Sequence, residues 1–135
     1  MRPALAACLV VLGACGGEAA PPQDRVLGGQ RIAGAVLQEG EFHYMRYCRG
    51  CHGVRGEGDG RYAPTLAVPP RNLTLGEYPH LGATEGQLPT DDDLLRLVRE
   101  GIEGSPMNGI PELTDREANA LVQYLKTLSP RWSEG

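Results

Sequence analysis

Five consecutive residues, Cys48-Arg49-Gly50-Cys51-His52, hold the most specific chemistry in the chain. Two thiols three apart, followed directly by a histidine, form the attachment site of a c-type haem. Each thiol adds across a vinyl group of the porphyrin, and the adjacent imidazole is held beneath the iron as its proximal ligand. Three other chemistries use similar residues. A structural zinc site takes four thiolate or imidazole ligands, usually as two spaced pairs, and outside this cluster the domain has only His43 and His80. A thioredoxin-like dithiol sits where a strand enters a helix, and no apolar, β-branched run precedes Cys48. A plain disulfide between Cys48 and Cys51 leaves the position of His52 without a reason. The pattern points to one covalent haem c, carried by Cys48 and Cys51 and ligated by His52.

A second axial ligand decides what such an iron does. Met107 lies 55 residues after His52, in the loop Gly104-Ser105-Pro106-Met107-Asn108-Gly109. A thioether presented there stabilises ferrous iron and raises the potential. A Met can also be mere core filler, but a loop dense in Gly and Pro is a poor place for that. His80 is the competing ligand and would give a lower potential; an open site is the third possibility. Met45, three residues before Cys48, is expected in the core.

Two further clusters have plainer explanations. Gly56-Glu57-Gly58-Asp59-Gly60 is not preceded by a strand or followed by Lys-Ser or Lys-Thr, as a phosphate-binding loop requires. It reads as a flexible turn. Asp91-Asp92-Asp93 falls in the first turn of a capped helix, where the macrodipole favours negative charge.

The periodic segments that must position these residues are helical, with little alternation to suggest strands. The first helix is expected from about Gln38 to Cys48, with Phe42, Tyr44, Met45 and Tyr47 at helical spacing. A second begins at Thr90 and carries Leu94, Leu95, Leu97, Val98 and Ile102 on its apolar face, with Gly101 and Gly104 at its end. The third opens on the capping box Thr114-Asp115-Arg116-Glu117 and runs through Ala118, Leu121, Val122, Leu125 and Leu128 to Ser129-Pro130. Between the first two lies Gly53 to Pro89, with seven Gly and five Pro. A loop of that length is expected to wrap something. The fold class is therefore all-α: three main helices and a long Gly/Pro-rich loop around one haem.

The start of the chain has the composition of a processed signal. Arg2 supplies a positive charge, Pro3 to Leu12 a short apolar stretch, and Leu12-Gly13-Ala14-Cys15 follows. This looks like a bacterial lipoprotein signal, with residues 1–14 removed and Cys15 carrying lipid. Leu5-Ala6-Ala7-Cys8 fits the same pattern but leaves almost no apolar region before it. An ordinary secretory signal is the plainer alternative. The apolar run is far below the roughly 20 residues that span a bilayer. Cys8, Cys15, Cys48 and Cys51 are then all accounted for, and none remains for a disulfide framework. Residues 15–34, rich in Gly, Ala, Pro and Gln, read as a flexible tether. Its random-coil span is roughly 25 Å and its extended limit about 65 Å. Residues 35–131 form the haem domain and 132–135 a C-terminal tail. A domain of this size has a modest core, and one Phe and one Trp add little to it. An apolar cofactor supplies the missing interior, so the polypeptide without haem is expected to fold poorly.

From about Gly40 to Leu128 the chain resembles the class I c-type cytochromes. Gly40 and Tyr44 fit the glycine and aromatic positions of that family's N-terminal helix, and Leu121 and Tyr124 fit the C-terminal helix that crosses it. Pro64 and Leu66, 12 and 14 residues after His52, match a Pro-x-Leu element. Pro69-Pro70-Arg71-Asn72-Leu73 is similar to a segment of bacterial monohaem members. The resemblance implies a small cytochrome c fold in which Pro64 offers its carbonyl to the second nitrogen of His52. It also suggests Arg71 as a partner for a haem propionate, although a solvated arginine fits equally well. One departure is visible: many members have proline directly after the methionine, whereas Asn108 follows here and Pro106 precedes.

Removing Arg2 with the signal leaves 12 Lys plus Arg against 17 Asp plus Glu, a formal net charge of −5. Nucleic acid is not an expected partner. Residues 41–71 run against this balance, with Arg46, Arg49, Arg55, Arg61 and Arg71 facing Glu41, Glu57 and Asp59. That local excess suggests steering of an acidic redox partner toward the haem edge. The whole reads as a lipid-anchored, periplasm-facing electron carrier, not itself an enzyme, between a redox protein donor and acceptor. Gly16, where an aspartate would signal inner-membrane retention, leans toward the outer membrane. A fixed haem subunit of a respiratory or dehydrogenase complex, and a haem enzyme or ligand sensor with an exchangeable distal site, are the other classes.

Overall fold

Gly40 marks the point where the two largest helices cross. A Cβ there would stand 2.1 Å from the Ala120 carbonyl oxygen and 2.7 Å from Tyr124 Cβ, so only glycine permits the approach. The helices are α1 (Gly34–Tyr47) and, near the C-terminus, Asp115–Thr127; their contact is the largest between elements. Tyr44 and Leu121, both fully buried, fill the crossing, and the Tyr44 and Tyr124 rings lie 5.3 Å apart. The computed structural model describes residues 21–81 and 86–133. The expected signal, Cys8 and Cys15 lie outside the described residues.

In chain order the elements are a hairpin of β1 (Arg25–Leu27) and β2 (Gln30–Ile32), then α1, α2 (Arg49–His52), α3 (Asp91–Glu100) and α4 (Asp115–Thr127). Short 3-10 turns occupy Ala63–Thr65, Leu73–Leu75, Pro79–Leu81 and Pro130–Trp132. The architecture is all-α apart from the hairpin, and α2 is a single turn made from the attachment motif itself. Among the described residues no helix is long and apolar enough to cross a membrane.

Both later helices begin where their capping residues predict. The Thr90 hydroxyl accepts from the Asp93 amide while the Asp93 carboxylate accepts from the Thr90 amide, and Thr114 and Glu117 repeat the arrangement. Asp91 has a further task. Its carboxylate meets the Lys126 ammonium, which is buried, and accepts from Gln123 Nε2 at 2.8 Å, tying α3 to α4.

Three expectations are corrected. The flexible tether of residues 15–34 is folded over part of its length: residues 25–32 pair as a hairpin whose Leu27 is fully buried. Gly28 and Gly29, at φ 56° and 76°, make the two-residue turn that suits the twist of the strands. Helix α1 consequently starts at Gly34, not Gln38, because Asp24 reaches across and accepts from the Gly34 amide at 3.0 Å. The C-terminal tail is likewise part of the core at its first residue. Trp132 is 3% exposed, packs edge-on to Tyr78 at 5.9 Å, and its carbonyl accepts from the Gly28 amide at 2.7 Å.

The third correction concerns Gly56 to Gly60, which is a packed strap and not a free turn. Gly58, Gly60 and Tyr62 donate in succession to the carbonyls of His52, Cys51 and Gly50, at 2.8, 3.0 and 2.9 Å. These bonds satisfy the carbonyl end of α2, which a one-turn helix leaves open. A Cβ at Gly60 would lie 2.4 Å from the Gly50 oxygen. The amides that a phosphate would need at Gly58 and Gly60 are therefore spent on the attachment turn.

Candidate haem site

Helix α1 ends at Tyr47, and the chain turns through Cys48 directly into α2, so Cys48, Cys51 and His52 come to one side of a single helical turn. They open into a cavity of about 640 Å³. The long loop covers one wall of it with Leu66, Val68, Pro69, Pro70 and Leu73, while Leu97, Val98 and Leu125 bring the faces of α3 and α4 to another. Met107 lines the same cavity, 55 residues from His52 along the chain.

Neither thiol forms a disulfide. Burial, then the neighbouring Cys51, pushes the Cys48 thiol up to about 12. A dithiol redox centre works by the opposite shift, toward the thiolate. Cys48 is therefore poorly suited to be the attacking thiol of a thioredoxin-like exchange.

His52 Nδ1 lies 2.9 Å from the carbonyl oxygen of Arg71. A carbonyl can only accept, so Nδ1 carries the hydrogen and Nε2 keeps its lone pair for a metal. Burial holds the imidazolium form down, and the bond to Arg71 opposes that only in part. The expected partner was Pro64. It lies instead in the exposed 3-10 turn Ala63–Thr65, while its companion Leu66 reaches the cavity. The Pro69-Pro70 pair, whose rings fix their φ, lines the cavity directly before Arg71, whose carbonyl takes this role. The Arg71 side chain lies exposed at the cavity rim.

The loop that presents Met107 is held at several points. The Met107 carbonyl accepts from Ile102 at 3.0 Å, its amide donates to Ser105 Oγ at 3.1 Å, and Asn108 bridges to Gly101. Gly101 and Gly109 make this fold-back possible: a Cβ on either would lie within 2.3 Å of a backbone oxygen. The order Pro106-Met107-Asn108 is thus accommodated by two glycines. His80 also lines the cavity, from the exposed turn Pro79–Leu81.

One site residue was missed. Tyr78 lines the cavity and is 8% exposed, yet its hydroxyl has no hydrogen-bond partner among the described residues. A buried orphan hydroxyl is costly, and burial raises its pKa far above the ordinary tyrosine value. It is suited to donate to an acceptor brought in by a cofactor. Nothing in its sequence neighbourhood marks it; only the wrap of the loop turns it inward. Two thiols, an imidazole with the right nitrogen free, a thioether and an unpaired donor in an apolar cavity fit a haem.

The fold and site define a class I c-type cytochrome, in which the family chemistry is covalently bound haem c used for electron transfer. The chain belongs to the family described as "Cytochrome C oxidase, cbb3-type, subunit III", which matches residues 35–125. Among solved structures it is similar to a chain of the "Kuenenia stuttgartiensis reducing HAO-like protein complex Kustc0457/Kustc0458", at 36% identity and a TM-score of 0.68. The match covers 73% of this chain and 44% of that one, so this chain spans under half of its neighbour's length. A second structure, "KustC0563 c-type cytochrome", is 23% identical with a TM-score of 0.48, over 67% of this chain and 96% of that one. No curated protein matches the chain.

Proposed function

We propose that the chain carries single electrons between redox proteins of the bacterial cell envelope, using one haem held by Cys48 and Cys51, with His52 and Met107 as axial ligands. The observation that supports it is the convergence of these four side chains on one apolar cavity. When bound, the haem supplies a one-electron couple whose potential depends on its axial ligands. The residues of the chain bind, orient and exclude water. His52 is oriented through Nδ1 by the Arg71 carbonyl. Met107 favours the reduced state, and its pinned loop makes it a better ligand than His80 on an exposed turn. Tyr78, with Arg71 at the rim, receives the propionates.

In this reading lipid on Cys15 anchors the domain at the periplasmic side, with Gly16 favouring the outer membrane. The visible spectrum of the purified envelope protein under redox control, taken with its intact mass, tests the whole at once. Expected are a c-type haem spectrum, the long-wavelength sulfur-to-iron band of the oxidised form, and mass increments for one haem and the lipid. Colourless material with free Cys48 and Cys51 would refute the proposal.

A second reading, as a fixed haem subunit of a larger assembly, draws support from the likeness to a chain of the reducing HAO-like protein complex. Mild-detergent purification distinguishes the two: stable partner subunits favour the complex, and a lone haem-bearing chain the free carrier.

A further inference from the structure

Four of the five arginines between residues 41 and 71 gather around a second concavity, an open groove of about 690 Å³ on the outer side of the attachment turn. Arg46, Arg49, Arg55 and Arg61 line it together with Tyr62 and Val54. No described residue lines both this groove and the haem cavity. The separation is built into α2, which turns Cys51 and His52 toward the cavity and Arg49 and Gly50 toward the groove. Tyr62 lies directly against Gly50, where a Cβ would meet its ring carbons at 2.8 Å. The Arg61 guanidinium lies over that ring, 4.5 Å from its centre.

The charge of the groove runs against that of the chain, which is −4 overall. Elsewhere among the described residues Arg31, Arg96, Arg99 and Arg116 each pair with a carboxylate and Arg131 donates to two backbone carbonyls, while the side chains of Arg25 and Arg71 show no such partner. Within the groove only Arg55 has such a partner, Glu57 at 3.1 Å, and Asp59 is the single carboxylate of the lining. Arg61 donates to the Tyr62 hydroxyl, and the guanidiniums of Arg46 and Arg49, with no carboxylate partner among the described residues, present planar forks matched to carboxylates. Beside them Val54 is 60% and Tyr62 46% exposed. Arginine next to exposed tyrosine and aliphatic surface has the composition of a protein interface more than of a small-anion pocket.

We propose that this groove docks the acidic face of a redox partner protein, separated from the thioether side of the attachment turn by one thickness of backbone. The inference rests on the haem reading above and adds to it a docking face distinct from the mouth of the haem cavity.

Stopped-flow oxidation of the reduced holoprotein by ferricyanide, a trianion, gives a test by sign. The net negative charge alone makes this reaction faster as salt rises; a local basic groove makes it slower. We expect about a tenfold fall in rate between about 10 and 200 mM ionic strength. In an Arg46→Gln, Arg49→Gln, Arg61→Gln variant the dependence should reverse with the reduction potential unchanged. An Arg25→Gln, Arg31→Gln, Arg116→Gln control carries the same change of net charge and should keep the wild-type dependence. A decaglutamate peptide should shift the amide signals of residues 46–62 in the wild type and leave them unmoved in the groove variant. A wild-type rate that rises with salt, a control that behaves like the groove variant, or amide shifts produced by inorganic phosphate and not by the peptide would each overturn the proposal. Absence of haem is read separately, from the visible spectrum, so the two failures are distinguishable.

Discussion

Met107 is the residue on which the electron-transfer reading is most exposed. Met107→Ala should abolish the sulfur-to-iron band and open the iron to carbon monoxide and cyanide; Met107→His should lower the midpoint potential by on the order of 100 mV. Retention of the band in Met107→Ala would identify another sulfur ligand. Tyr78 makes a second test by sign. Removing a hydroxyl that stays unpaired would stabilise the protein, whereas removing one that donates to a propionate should cost about 1.5–3 kcal/mol, as for bonds to charged groups. Tyr78→Phe is expected to lower the stability of the holoprotein to chemical denaturation. At this scale the candidate covalent and axial residues could be named because their chemistry is specified by residue type and spacing, and the fold brings them to one cavity. The partner of His52 was not, since a backbone carbonyl has no residue type to recognise and the ring takes whichever carbonyl the loop delivers, here that of Arg71 and not of Pro64.

The helices divide in the same way. Starts set by a local side chain, at Thr90 and Thr114, are readable because donor and acceptor lie within one turn. The start of α1 is not, because its amide is capped by Asp24 from ten residues away. The two capping boxes carry a pH dependence. Asp93 and Glu117 titrate below their ordinary range because the threonine hydroxyls and amides donate to the carboxylates. Their contribution is complete above the unfolded-chain values of about 4 and is lost as pH falls through the lower folded values. The Thr90→Ala, Thr114→Ala double variant should therefore be less stable than wild type at neutral pH, with the deficit narrowing as pH is lowered toward about 2 in denaturation experiments. Where two elements meet, Gly40→Ala should cost about 1–3 kcal/mol, because the added methyl must push the Ala120 carbonyl aside. Unchanged denaturation midpoints would mean that the crossing can open without cost.

For the whole molecule the hairpin changes the geometry of attachment. With Cys15 as anchor, a tether of residues 15–34 would reach about 65 Å. The fold, however, already includes Pro22, whose carbonyl lies against Gly34. The seven peptide steps from Cys15 to Pro22 reach at most about 25 Å, so the lipid anchor proposed at Cys15 would keep the haem domain close to its membrane. The hairpin is held by Trp132 from the other end of the chain, so Trp132→Ala should cost about 3–5 kcal/mol and expose residues 25–32 to proteolysis. The Gly28-Gly29 pair was a readable hairpin signal, but the composition around it suggested a linker, and only Trp132 makes so short a hairpin worth forming. By itself the amino-acid order pointed to haem attachment and its candidate ligands and placed the starts of the two capped helices, because each depends on neighbours in the chain or on residue type alone, whereas the glycine of the helix crossing was marked by the family resemblance. The tertiary structure decided which carbonyl orients His52, that Tyr78 turns inward, that the hairpin of residues 25–32 and Trp132 join the core, and that four arginines share one groove. Those outcomes depend on how a loop without periodicity packs against distant elements, and local sequence carries no record of that.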